Sequence, residues 1–391
     1  MRLDYDVVVA GAGLGGLAAA AALSTGGFST LVVEKFPRIG GRFTNITHKG
    51  FELSTGALHL LPHQKGVAKR FFKDDLKTDL DLINTGPIYY MHKGSIIGQL
   101  SKLPATIDSI FRFSIGLKFR ETPLLERMKF LSKMVTDGRP CLPKGGCKSI
   151  IDILQKIILD NNGKIQKRTI LRKITIQNTR VTGVKMEKSN GEITAIKTVR
   201  VISDIGLKNT LETLPKNSIT NGFRTQANKI KPAEGIKISI ECSKPILKKI
   251  VGKDAGLLFT PTCRNIAGIV EPSALDPNLA PPSKSLLMTY QKLASTDIQT
   301  EITLGIKELE TIIPHFKRDC RVLIIQVFRD DWPVNRAQQG RDVPQKTPID
   351  GLYLVGDGAK PPGCVMAEGA IESARRVANA IKSENHIHYV T

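Results

Sequence analysis

The chain has 391 residues, is 41% hydrophobic and 24% charged, and carries a formal net charge of +21. That length and balance exclude a disordered or collagen-like chain and leave room for two domains, or one with an insertion. The six scattered cysteines carry no C-x-x-C zinc or dithiol signature and fit reduced thiols in the cytoplasm, and the charge comes without a helix-turn-helix, finger or RNA-binding module, so no specific nucleic acid is expected.

Val7 to Ala10 is a short apolar run that predicts a strand. Gly11, Gly13 and Gly16 follow as G-x-G-x-x-G, and Leu17 to Leu23 has the alanine content of a close-packed helix. Leu31 to Val33 predicts a second strand, ended by Glu34, which lies 18 residues after Gly16. This order is a dinucleotide-binding βαβ unit. Gly11 allows the tight turn, Gly13 lets a pyrophosphate approach the backbone, and Gly16 lets helix and strand pack closely. The helix N-terminus offers free N–H groups to phosphate, and Glu34 stands where a carboxylate accepts from an adenosine ribose. Val7 to Val33 contains no charged residue. Its glycines and the polar break from Ser24 to Thr30 favour two strands around a helix over a membrane span, and a signal peptide fits poorly.

Beyond Glu34, Lys35 leads to Gly40-Gly41-Arg42, a loop suited to return over the dinucleotide, with the arginine able to meet phosphate. Gly50 to Gly56 predicts a strand and turn leading to His59 and His63. Pro62 argues against a helix that would align the two histidines, so no metal site is expected; His59 is the candidate for lining a substrate space. Ile107 to Phe119 and Leu124 to Val135 predict amphipathic helices, either the packing of a cap or a surface resting on an anionic membrane. A helix is expected from Lys148 to Leu159, then a strand pair or bent strand over residues 164–176. Val181 to Lys188 and Glu192 to Val201 flank Asn190-Gly191 as a hairpin. A strand ends at Ser203-Asp204, and a helix starts near Leu207. Strands are expected at Ile236 to Glu241, Leu257 to Thr260, Leu286 to Gln291 and Val322 to Phe328, with a helix from Ile298 to Ile313. The lone tryptophan, Trp332, reads as a structural lock. Leu352 to Val355 predicts a strand running into Gly356-Asp357-Gly358, and a helix follows from about Ala367 to Ile381. Asp357 thus stands at the carboxyl end of a buried strand, the usual place for ligand contact.

Taken together, residues 6–42, Pro143-Lys144-Gly145-Gly146 and the Gly-Asp segment at 351–370 resemble the flavin-dependent amine oxidase and phytoene desaturase superfamily. The Pro272-Ser273, Asp276-Pro277 and Ala280-Pro281-Pro282 elements and Trp332-Pro333 resemble its phytoene dehydrogenase-like branch. The resemblance implies an α/β fold: a Rossmann-type FAD-binding domain of the glutathione-reductase-like class with a mixed α+β substrate domain. It implies FAD as cofactor, held by Gly11, Gly13, Leu14, Gly15, Gly16, Glu34, Lys35, Gly40, Gly41, Arg42, Leu171, Gly356, Asp357, Gly363, Val365 and Met366. The FAD domain is expected in three segments, residues 1–84, 143–212 and 346–391, with a helical cap at 85–142 and the substrate domain at 213–345. The implied reaction is hydride transfer between a carbon of an apolar, isoprenoid- or carotenoid-like small molecule and flavin N5. An amine or small-molecule oxidase, and a non-catalytic FAD-stabilised protein that binds lipid or a partner, are the alternatives. The short passage from Val135 to Pro143 departs from the branch, so the cavity is expected to be smaller, more open, or completed by a second copy in a homo-oligomer or by the inner face of an anionic membrane.

Overall fold

The computed structural model describes residues 2–57, 59–92, 95–97, 103–251 and 255–388. Val7–Ala10 is buried at every position, as a β-rich apolar run covered on both faces should be. It pairs in parallel with Thr30–Val33 on one side and Val201–Ser203 on the other. Lys164–Gln166 and Leu352–Leu354 extend the two edges into a five-stranded parallel sheet. The chain leaves the central strand to one side and returns on the other. The crevice beyond the carboxyl end of Val7–Ala10 is therefore the topological switch point, where such sheets bind ligands.

One face of this sheet is covered by the helices Leu14–Thr25, Cys147–Asp160 and Met366–His388. The alanines 18–22 of the first are buried and small enough for both neighbours to pack against it. The other face is covered by an antiparallel sheet of Thr169–Gln177, Arg180–Lys188 and Ile193–Ile196, which packs Leu171, Ile174, Val184 and Met186 over Val8, Ala10, Leu31 and Val33. Two sequence expectations change here. Residues 164–176 are two strands in two different sheets, and the run expected from Glu192 to Val201 divides, because Val201–Ser203 is drawn into the buried parallel sheet while Ile193–Ile196 completes the antiparallel one.

A second unit is built on a seven-stranded mixed sheet. Its order is Cys320–Phe328, Gly235–Cys242, Ser285–Lys292, Ile266–Val270, Leu257–Phe259, Tyr89–His92, Ser95–Ile97. The segment 85–142, expected as a helical cap, thus also supplies two strands; Tyr89–His92 pairs in parallel with Leu257–Phe259. Its helices are Leu103–Ile115, ended where Gly116 takes φ +76°, and Leu124–Thr136. Phe111, Phe113 and Phe130 bury these helices against the sheet. Cys242 and Cys320 are register partners with sulfurs 3.1 Å apart, a proximity that their separation in sequence hides. No helix among the described residues is long and apolar enough to cross a membrane.

Candidate functional site

A cleft of about 430 Å³ opens at the switch point. Its floor is the loop from Gly11 to Gly15. Gly11 takes φ +95°, a conformation that costs a side-chain-bearing residue energy. The helix Leu14–Thr25 starts three residues earlier than Leu17, with Gly15 and Gly16 inside its first turn, and no side chain caps its N-terminus. Its end faces the cleft through Gly13, Leu14 and Gly15, which suits a pyrophosphate. Gly16 lies behind the cleft, where an added Cβ would overlap the Gly11 carbonyl oxygen. Gly16→Ala is therefore expected to push the helix off the strand and cost about 3 kcal/mol or more. Gel filtration should strip the flavin from this variant; full retention at an unchanged melting temperature would contradict the packing argument.

Glu34 is buried at the end of the second strand and lines the cleft. Its two carboxylate oxygens accept from the backbone N–H of Ala12, at 2.8 Å, and of Phe36, at 2.9 Å. It therefore holds the glycine loop in shape, and its remaining lone pairs are free for a ribose hydroxyl. Lys35, Phe36, Thr169, Ile170 and Leu171 form the wall around it. Gly40 and Gly41 follow at φ +97° and +54°, and the Gly40 N–H donates to Ala12 O at 2.7 Å, so the second loop lies directly on the first. Trp332 also lines the cleft, edge-on to Phe36 with centroids 6.1 Å apart; it is part of the site wall and not only a lock.

The middle of the cleft is charged. The Arg42 guanidinium donates to Pro333 O, Val334 O and Asp357 Oδ1, the last at 2.7 Å. Asp357 Oδ2 accepts from the Arg336 N–H at 3.0 Å. Burial pushes the Asp357 carboxyl upward, but Arg42, Arg336 and Lys360 outweigh it and hold it down at about 2. Arg42 thus ties three distant segments together and remains in the cleft wall. Arg336 and Asp204, which the sequence reading did not single out, line the same wall. Both are brought in from far along the chain; Asp204 stands at the carboxyl end of the strand Val201–Ser203, and no local pattern marks Arg336.

The far end is apolar. Gly56, Ala57, Leu60, Val334, Met366 and Ala367 line it, continuous with a cluster that includes Tyr90, Phe113 and Phe259. Met366 opens the helix Met366–His388 at φ +47°. Gly356 also lines the cleft, whereas Gly363 and Val365 lie behind it. The Gly363 N–H donates to Glu126 Oε2 of the cap helix at 2.7 Å, and a Cβ there would overlap Lys129. The structure places His59 next to this region but outside the cleft wall: it is buried, both ring nitrogens lack partners, and burial pushes it down to about 3, with Lys237 adding to the effect. Its imidazole is neutral at pH 7. Lys237 is a further residue that sequence reading missed. It is fully buried on the strand Gly235–Cys242, and its ammonium donates to Ser54 O, Ser54 Oγ and Gly56 O at 2.5, 2.8 and 2.7 Å.

The glycine cradle, the acid at the end of the second strand and the Gly-Asp segment fit one elongated dinucleotide whose reactive end reaches an apolar pocket. Fold and site define an FAD-dependent oxidoreductase. The sequence profile of NAD(P)-binding Rossmann-like domains matches residues 9–74, and that of the flavin-containing amine oxidoreductases matches residues 128–382. The chain belongs to the flavin-containing amine oxidoreductase family. An uncharacterised protein of Methanocaldococcus jannaschii is 33% identical over 96% of this chain and 99% of its own. The crystal structure of an oxidoreductase from Methanosarcina mazei superposes with a TM-score of 0.86 at 32% identity, covering 95% of this chain and 99% of that one. The all-trans-retinol 13,14-reductase of Homo sapiens is 29% identical over 39% of this chain and 30% of its own length.

Proposed function

We propose that the protein oxidises or reduces an apolar, isoprenoid-like small molecule. The observation that carries this reading is the apolar end of the cleft, where Ala57, Leu60, Val334 and Met366 meet the aromatic cluster of the substrate sheet. Bound FAD supplies the two-electron chemistry at a substrate carbon. The chain supplies binding and position. The glycine loop and Glu34 hold the dinucleotide, Arg42 and Asp357 fix the middle of the cleft, and the apolar wall excludes water and orients a hydrocarbon. The partial likeness to a retinol reductase supports the same substrate class. Purification without added cofactor, followed by mass spectrometry of the released ligands, tests this. FAD together with a co-purifying polyene or other isoprenoid is the expected result. Flavin accompanied by a bound polyamine would overturn it.

The same proposal includes peripheral contact with an anionic membrane. On the helix Leu124–Thr136 the side chains of Leu124, Leu125, Met128 and Val135 are 64%, 54%, 62% and 85% exposed, beside the exposed Lys118, Arg120 and Lys129. Apolar groups flanked by cations are what such a surface takes up. Vesicles with anionic lipid should bind the protein at low salt and release it at high salt, and Met128→Asp should weaken binding roughly tenfold. Equal binding to neutral and anionic vesicles at both salt levels would contradict the electrostatic part.

A further inference from the structure

Asp204 follows the strand Val201–Ser203, and its N–H donates to Ala10 O at 2.8 Å, which fixes it beside the glycine loop. Its carboxyl is packed between the two loops that hold the cofactor. A Cβ added at Gly13 would overlap Oδ2, and one added at Gly356 would overlap Oδ1. At Gly15 it would come within 3.0 Å of Oδ1. These glycines therefore make room for this side chain as well as for a ligand. A Cβ added at Gly16 would come within 3.2 Å of the Asp204 Cβ, so the start of the helix Leu14–Thr25 packs on the same side chain. The charged groups facing it are Asp357 from the turn after the last strand, Arg336 from the segment before that strand, and Arg42 from the second glycine loop. The glycine loop itself contributes only backbone.

A carboxylate only accepts hydrogen bonds, and here it would stand beside a doubly charged pyrophosphate with Asp357 nearby. A protonated carboxyl also donates. We infer that Asp204 is a cofactor-binding residue that acts in its neutral form, as a hydrogen-bond donor in the FAD site, and that FAD binding is coupled to retention of its proton. The direction of its titration agrees: burial pushes the carboxyl up to about 7, with Asp357 adding to the rise and the Gly16 N–H and both arginines opposing it. Pyrophosphate placed nearby raises it further. The sign follows. Above that value the cofactor-free protein must take up a proton to bind FAD, so affinity falls with rising pH.

The test is the dissociation constant and release rate of FAD, followed by flavin fluorescence on the purified holoprotein from about pH 6 to about pH 8. Wild type is expected to bind roughly tenfold more weakly at the upper pH. Asp204→Asn, which keeps a donor and carries no charge, is expected to hold FAD at both pH values with no such slope. Infrared difference spectra of the holoprotein provide a second readout that does not depend on affinity. A neutral carboxyl band near pH 7 should be present in wild type and missing from Asp204→Asn. Equal affinity of wild type at both pH values would overturn the inference, as would a folded Asp204→Asn that no longer holds FAD. If that variant does not fold, a carboxylate-specific pattern for Asp204 in isotope-labelled wild-type holoprotein would overturn it.

Discussion

Arg42→Ala is expected to lower stability by about 3–5 kcal/mol, the range for removing one partner of a buried charge pair. Arg42 and Asp357 are only 18% and 14% exposed, and the guanidinium also satisfies two backbone carbonyls on the segment that leads into Arg336. The variant leaves Asp357 at the centre of the cleft without its direct ion-pair partner, held only by the Arg336 N–H and the more distant charges of Arg336 and Lys360. Earlier release of FAD on heating and a lower denaturant midpoint should report the loss. Arg42→Lys should fall between the two, since a point charge cannot reproduce the fork that reaches three acceptors. The pH dependence has a defined sign. Asp357 is held below its ordinary value, so its pairing contributes stability above about pH 4 that is lost as pH falls through about 2. Without Arg42 the folded value rises toward the ordinary one, so this acid-dependent contribution should shrink. An Arg42→Ala protein with unchanged acid and thermal unfolding would show that the pair is incidental.

Lys237→Met is expected to have the second large effect. It leaves Ser54 O and Ser54 Oγ without their buried donor and Gly56 O with only the bond from Ser54 Oγ at 3.3 Å, at about 1–3 kcal/mol for each group that finds no water. Gly56 lines the cleft, so the loss is also expected at the reactive end, as a shifted flavin absorption spectrum and a fall in substrate turnover of roughly tenfold or more. Burial pushes the ammonium down from 10.5 to about 7. Between those values the unfolded chain binds more protons than the folded one, so this group makes stability rise with pH across that window. Lys237→Met should flatten the rise. A variant with the wild-type spectrum and the same pH profile would remove Lys237 from the account of the site.

The parts of the fold that were legible in the sequence are those whose signal is contiguous. Val7–Ala10 is an unbroken β-rich run ended by a glycine, and its bounds follow from that alone. Ile298–Ile312 shows helical spacing and an N-cap, Asp297, whose side chain accepts from the Thr300 N–H. The strands Tyr89–His92 and Ile266–Val270 were missed for a different reason. They are short, and the second carries Gly268, whose place is set by Phe113 packed against it from another element. At the site, the glycine loops, Glu34, Arg42 and Asp357 could be read because each sits at a fixed offset from a strand end. Arg336 and Lys237 could not, and Asp204, though it ends a strand, belongs to no such motif. A lone arginine or lysine gives no sign of burial; the fold carries Asp204 and Arg336 to the cleft and Lys237 to the turn from Ser54 to Gly56 beside it. Glu34 and Arg42 illustrate a further limit, since the sequence suggested direct ligand contacts and could not reveal that each also holds the loops together.

The proposed action of this FAD site on an apolar isoprenoid-like carbon skeleton is read by anaerobic stopped-flow mixing of the holoprotein, following flavin absorbance in two arms. One arm presents oxidised and reduced holoprotein with a matched saturated and unsaturated isoprenoid pair; the other presents oxidised holoprotein with primary and secondary amines. A change in flavin redox state is expected in the isoprenoid arm and none in the amine arm. Rapid bleaching by an amine, followed by hydrogen peroxide release when oxygen is admitted, with no response to either isoprenoid, would contradict it.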